Sequence, residues 1–454
     1  MKRTIFAIIF RIFGAATQFI FTLSIVRLLS VEESGLFFFL YAIALILSAV
    51  SRFGCELSGM RKIAESISVK SKLNVDIVIA TRIIFTIISP LFLCLITTIC
   101  IQPIISSNFD ATNAKHPTYF MLTSAVMLCV TGASSEILKG AGKPNLGIFY
   151  NNLSVPAITS ITVILFKCLN LEINISVLTL TFLVAASSVS VLSIASLLSW
   201  RYSWVGTFCS QKRYDQKRLC NEFSMEIRRI FRDAPSLTIV TSTSIIMQWI
   251  GSFVLGVFGT PASVTGYSLV SRLSIIVSTV NSAITSQFAP TIGAKYYLKD
   301  YTSVKCVSQF MGTVIAVTSL PLILLLFLFP QFFLGIFGAD QVEFTTTMRI
   351  LLLGQICSAL IGHSGMILTM TGNYSDASKS SIIAIMVLAA TMLMLVPLLN
   401  SSGAATAMSI AVISGHSYAY YCVAHRLRFS SFPFRCIELI CGMKGSWRSS
   451  TANE

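Results

Sequence analysis

Charged residues are scarce in this chain and acidic ones scarcest: of 454 residues 11% are charged, with 18 Asp and Glu against 33 Lys and Arg. An ordinary soluble domain carries roughly 25% charge, so water cannot solvate the surface this composition would present, and the mean hydropathy of +0.79 agrees. The chain reads as one polytopic membrane unit, not as about three soluble domains of ~150 residues. Catalytic motifs are missing too. There is no Walker loop, no HExxH, no GxSxG and no pair of acids inside an apolar run, so neither ATP hydrolysis nor other enzymatic catalysis is expected, and no cofactor is implied. The 12 cysteines include no CxxC pair and fall mostly in apolar runs (Cys94, Cys100, Cys129, Cys357, Cys422) or basic loops, which argues against structural disulfides and a metal site.

The net charge of +15 would raise the question of nucleic acid in a soluble protein. Here the cations sit between apolar runs, with no aromatic-rich basic groove beside them, and nucleic acid is not expected as a partner. The first apolar stretch, 4–29, is too long for a signal-peptide core and lacks a small-residue cleavage site, so it is expected to remain as a span.

What the sequence has in abundance is apolar runs near the ~20 residues that cross a bilayer. Twelve are expected, near 4–29, 35–57, 77–103, 118–138, 146–166, 175–199, 235–259, 264–288, 306–331, 346–371, 380–399 and 403–423. Of the 33 cations, 25 fall in connections on one side and three (Arg27, Lys115, Lys167) on the other. Lys and Arg are retained on the cytoplasmic side, so both termini are expected in the cytoplasm. The halves echo each other: "SVEESGLFFF" matches "TPASVTGYSL", pairing Gly35 with Gly266, and "LKGAGKPN" matches "LTMTGNYS", pairing Gly142 with Gly372. The expected fold class is therefore all-α polytopic membrane protein, with two six-helix lobes related by a pseudo-two-fold axis along the membrane normal. The expected boundaries are a lobe at 1–200, a basic cytoplasmic linker at 201–234, a lobe at 235–424 and a basic tail at 425–454. Trp200 and Trp204 are expected to anchor an interfacial helix in the linker.

Five cations remain inside the expected spans: Arg11, Arg52, Arg82, Arg272 and Arg349, all arginine. A charge at the bilayer centre costs ~2.5–3.5 kcal/mol on insertion scales, so such residues face a cavity or a partner. No Asp or Glu occupies the middle of a span; Glu56 and Glu136 lie in the last turns of spans two and four. That imbalance favours an anionic cargo, because guanidinium is always protonated and offers a planar fork of donors suited to phosphate. Arg11, Ala15, Gln18 and Thr22 share one helical face, as do Ser48, Arg52 and Glu56. Alternatives stand beside this reading: Arg52 can pair with Glu56 one turn on, and Arg82 and Arg349 lie near enough to span ends to snorkel. Gln18, Gln248, Asn281 and Gln355 can bond sugars or neighbouring helices. Glu56, Glu136, His363 and His416 are the candidates for ion coupling, and the membrane potential acting on an anionic cargo is another driving force.

The segments "RLLSVEESG", "FGCELSGMRKIAE" and "SQFAPTIGAKYYLKD" resemble the polysaccharide-transport branch of the multidrug/oligosaccharidyl-lipid/polysaccharide exporters. The resemblance implies a Wzx-type O-antigen translocase, a non-enzymatic flippase of the bacterial inner membrane. It would move an undecaprenyl-pyrophosphate-linked oligosaccharide to the periplasmic leaflet by alternating access. It implies arginines of spans one, two and eight in the cavity, here Arg11, Arg52 and Arg272, and as partners the anionic lipid-linked oligosaccharide, a polysaccharide polymerase and a chain-length regulator. A drug/cation antiporter of the same superfamily would need intramembrane carboxylates, and a non-transporting scaffold of a polysaccharide synthesis complex would need no arginine-lined cavity.

Overall fold

The computed structural model describes residues 2–68, 71–109, 111–208 and 216–433, and they are almost entirely helical. The first half runs α1 (Lys2–Leu28), α2 (Val31–Ser51), α3 (Cys55–Ser68), α4 (Lys72–Asn108), α5 (Ala111–Gly140), α6 (Pro144–Ile148), a π turn at Phe149–Leu153, α7 (Ser154–Cys168) and α8 (Ile175–Phe208). The second runs α9 (Gln216–Phe258), α10 (Pro261–Tyr297), α11 (Tyr301–Leu328), α12 (Pro330–Gly335), a 3-10 turn at Ala339–Phe344, α13 (Thr345–Ile361), α14 (Ser364–Met370) and α15 (Tyr374–Leu427). Among the described residues, ten helices or helix pairs are long and apolar enough to cross a membrane. The shorter apolar helix of α1 and the second leg of α15 bring the crossings to the expected twelve.

Several boundaries differ from the expectation, each for a local reason. Span two stops at Ser51 because Phe53 (φ 44°) and Gly54 (φ 66°) take the left-handed conformation, and the chain restarts as α3. Such a conformation costs a non-glycine residue ~1–2 kcal/mol. Here the turn carries Glu56 to Arg52. Span ten is likewise interrupted between α13 and α14, at Gly362 and His363. The 54 residues of α15 would measure about 80 Å if straight, but Asn400 is non-helical (φ 47°, ψ −126°) and reverses the chain. Across the resulting hairpin Gly403 packs on the Leu395 carbonyl and Gly415 on Ala384, and Arg426 Nε meets Asp376 Oδ2 at 2.5 Å at its open end.

Packing groups the chain into two compact units, 1–268 and 269–454, so the boundary by packing differs from the expected lobes. The physical reason is that α9 lies against α2, α3 and α4. The expected linker is largely helix: α8 continues to Phe208 and α9 begins at Gln216, with 209–215 outside the described residues. Trp200 and Trp204 are not interfacial anchors. They are buried, their ring centroids 6.2 Å apart, within a cluster that includes Ile63, Val75, Ile79, Ile137 and Leu197.

The repeat is visible in the backbone. Gly142 (φ 81°) and Gly372 (φ 79°) each end a helix in a Schellman turn, with Lys143 N–H donating to Leu138 O at 3.0 Å and Asn373 N–H to Leu368 O at 2.9 Å. At the other anchor, within the first unit, Ser34 Oγ and Thr265 Oγ1 are 3.0 Å apart and 231 positions apart in sequence, the offset of Gly35 from Gly266. Equivalent residues of the repeat touch each other there, as at an isologous contact. Gly35 allows the approach: a Cβ on it would lie 2.7 and 2.8 Å from the Pro261 C and Cα.

Candidate functional site

The five intramembrane arginines divide by what surrounds them. Arg52, 6% exposed at the C-cap of α2, donates from Nε to Ser48 O at 3.0 Å and forms an ion pair with Glu56. Its guanidinium fills the space that a side chain at Gly132 of α5 would need. Arg52 is thus held by the local i,i+4 partner, and Glu56 is occupied with it. Arg82, 2% exposed on α4, donates from Nη2 to Glu226 Oε1 of α9 at 2.8 Å. Its Nε and Nη1 are buried without a hydrogen-bond partner among the described residues. Arg349 is exposed, its guanidinium carbon 5.8 Å from the centroid of Phe327, the placement of a residue that reaches outward over an aromatic ring. Arg272, on the part of α10 in the second unit, is 5% exposed. Arg11 is on α1, but its side chain lies outside the described residues.

The carboxylates at the span ends are also occupied. Glu136 pairs with Lys139, and Asp76 accepts from Arg201 Nε and Nη2 at 2.5 and 2.8 Å, tying α4 to α8. Gln18 Oε1 is buried without a hydrogen-bond partner among the described residues. Ser278 Oγ donates to Gln355 Oε1 at 3.1 Å, so Gln355 is engaged with a neighbouring helix. His363 is 4% exposed, its Nε2 2.9 Å from Ser431 O, while His416 is half-buried.

Sequence reasoning missed two features. Glu226 stands amid the basic linker, where it reads as a solvated acid; its partner is 144 positions away. The other is the chain after α15. It turns at Arg428 (φ 54°) and folds back so that Ser431 is fully buried, with Gln309 Nε2 donating to Ser430 O at 3.0 Å. Residues 434–454 of the expected tail lie outside the described residues. Above this strap, wholly within the second unit, is a cavity of about 340 Å³ bordered by Asn281, Thr285, Ser358 and His363 among others.

The family model "Polysaccharide biosynthesis protein" matches residues 1–294. Among curated proteins nothing matches. Among solved structures, an inward-facing multidrug resistance MATE family transporter of the MOP superfamily is similar with a TM-score of 0.70 at 14% identity, covering 91% of this chain and 94% of that one. The lipid II flippase MurJ in an inward closed conformation gives 0.68 at 14% identity, covering 92% and 86%. A MOP superfamily transporter from Pyrococcus furiosus gives 0.60 at 13% identity, covering 94% and 95%. At these identities the likeness is one of fold.

Proposed function

Since the chain belongs to the polysaccharide biosynthesis protein family, we propose that it is a flippase for a lipid-linked oligosaccharide. In this reading it carries an undecaprenyl-pyrophosphate-linked O-antigen repeat unit from the cytoplasmic to the periplasmic leaflet of the bacterial inner membrane by alternating access. Both termini stay in the cytoplasm. The chain is a multi-pass membrane protein with the fold of transporters that include a lipid II flippase, which supports the class.

One observation carries the choice of cargo. No Asp or Glu occupies the middle of a span, and Glu56 and Glu226 are paired with Arg52 and Arg82. The excess charge within the spans is cationic, and it suits a pyrophosphate. A drug/cation antiporter would need a carboxylate open to Na+ or H+, although the MATE transporter shares the fold. Arg11 and Arg272 are the residues assigned to the pyrophosphate. They are the deepest of the five in their spans, Arg52, Arg82 and Arg349 play a lesser part, and Gln18, two turns along the same face as Arg11, receives the first sugar. Glu56, Glu136, His363 and His416 remain the groups to examine for ion coupling.

The test is gel banding of surface O-polysaccharide in a deletion strain complemented with wild type, Arg11→Ala, Arg272→Ala or the corresponding lysine variants, each checked for membrane insertion. Loss of banding in the alanine variants with partial recovery by lysine is the expected result. Full banding from both alanine variants would overturn the arginine assignment and shift weight to a non-transporting scaffold.

A further inference from the structure

Along α4 runs an apolar stripe that the other described residues leave uncovered. Ile88, Leu91, Phe92, Leu95 and Ile99 are each more than half exposed, and steps of three and four residues keep them on one face of the helix. From Ile88 to Ile99 the helix rises about 16 Å at ~1.5 Å per residue, close to half of the ~30 Å hydrocarbon thickness. The stripe therefore has the length of one leaflet, and its neighbour in a bilayer is an acyl chain.

The same face turns polar at its end. Gln102, three residues past Ile99, is exposed and borders a crevice of about 240 Å³ between α4 and α5, wholly within the first unit. Its lining includes the buried Ile105, Ala114 and Thr118, together with Lys115 and Tyr119, which are exposed and one turn apart on α5. Gln102 and Tyr119 stand in the last and first turns of the expected spans three and four. That places the crevice at the edge of the hydrocarbon, the depth at which tyrosine is enriched. No Asp or Glu lines it, and Lys115 takes part in no ion pair among the described residues.

The exposed side chains bring donors to one opening: three on the Lys115 ammonium, two on the Gln102 amide and one on the Tyr119 hydroxyl. Phosphate oxygens accept from such groups, most strongly from the ammonium. One lysine balances the single charge of a phosphodiester, whereas a pyrophosphate carries more charge than it can balance. A zwitterionic headgroup brings its own cation and has less need of the lysine. A soluble phosphate compound gains nothing from the stripe, while a phospholipid uses both features at once.

We propose that the crevice bordered by Gln102, Lys115 and Tyr119 is a binding site for an anionic phospholipid, with the phosphate on Lys115 and one acyl chain along the α4 stripe. The site is separate from the arginines assigned to the cargo and does not depend on what the cargo is.

The experiment is native mass spectrometry of the full chain released from detergent, with phosphatidylglycerol and phosphatidylcholine of equal chain length as probes. Wild type is expected to retain one phosphatidylglycerol in preference to phosphatidylcholine. Lys115→Gln is expected to weaken that retention roughly 5-fold, and Lys115→Arg to preserve it. Lys167→Gln, which removes a cation outside the crevice, is expected to change nothing. Neither glycerol phosphate, the headgroup without chains, nor farnesyl diphosphate at the lipid's own concentration is expected to displace the lipid. Equal retention of the two lipids, unchanged retention in Lys115→Gln, or an equal loss in Lys167→Gln would each overturn the site. Displacement by glycerol phosphate would make it a site for soluble anions, and displacement by farnesyl diphosphate a site for prenyl pyrophosphates; either result refutes the proposal.

Discussion

The Arg82–Glu226 pair offers a sharp test of how the first unit is held together. The side chains are 3% and 6% exposed, and Arg82 Nη2 lies 2.8 Å from Glu226 Oε1. Removing one partner of a buried pair typically costs ~3–5 kcal/mol, whereas replacing both with apolar residues of similar volume is neutral or even stabilising by ~1–4 kcal/mol. Arg82→Ala and Glu226→Ala are each expected to lower the thermal midpoint by on the order of 10 °C, taking ~2–4 °C per kcal/mol for a unit of this size. Arg82→Met combined with Glu226→Leu is expected to return close to the wild-type midpoint. The assay is a thiol-reactive dye added to purified protein during heating, because Cys55 and Cys129 are 1% and 0% exposed and become labelled as the unit opens. The double-mutant cycle must be strongly non-additive. If the double variant loses the sum of the two single losses, the pair is not a coupled buried interaction and the argument fails.

Two further expectations follow from the backbone ends. Ser34 and Thr265 hydroxyl oxygens are 3.0 Å apart, a separation compatible with the ~3.5–4.5 Å between Cβ atoms that a disulfide needs. The double variant Ser34→Cys, Thr265→Cys is expected to lose surface polysaccharide on mild oxidation and regain it on reduction, while unaltered activity after verified cross-linking would show that this contact need not open during transport. Asp300 caps α11 through Ser303 N–H at 3.1 Å, and hydrogen bonds from Ser303, Thr302 and Lys295 hold its carboxyl below the usual 3.8. A depressed folded-state value means that the cap's contribution is complete above the unfolded value and is lost as pH falls through the folded one. Wild type is therefore expected to lose thermal stability below about pH 4 by a component that Asp300→Asn, which keeps a capping oxygen, does not lose; identical pH profiles for the two proteins would refute it.

The twelve crossings are legible in the sequence because hydrocarbon demands an unbroken apolar length from each one, and the repeat is legible because Gly142 and Gly372 must adopt positive φ at helix ends. Helix beyond the bilayer is less so: α8 and α9 continue where hydropathy falls, and Trp200 and Trp204, which read as interfacial aromatics, are covered by α3, α4 and α5. The candidate site is legible in proportion to sequence distance. Arg52 and Glu56 sit one helical turn apart, so their pairing is visible as a spacing. Arg82 and Glu226 meet only through tertiary packing, and no spacing announces them. Asn281 and His363 meet Ser319 and Ser431, which no local pattern links to either.

The turn at Asn400 has a mechanical consequence. Because a single non-helical residue joins the two legs of α15, and Arg426 and Asp376 clasp the far end, the hairpin has almost no slack. A connection this short leaves a protease little chain to cut, and one leg cannot advance along its axis without hauling the other. The last two crossings are geared together as one lever, so a displacement applied at either leg is delivered whole at the other.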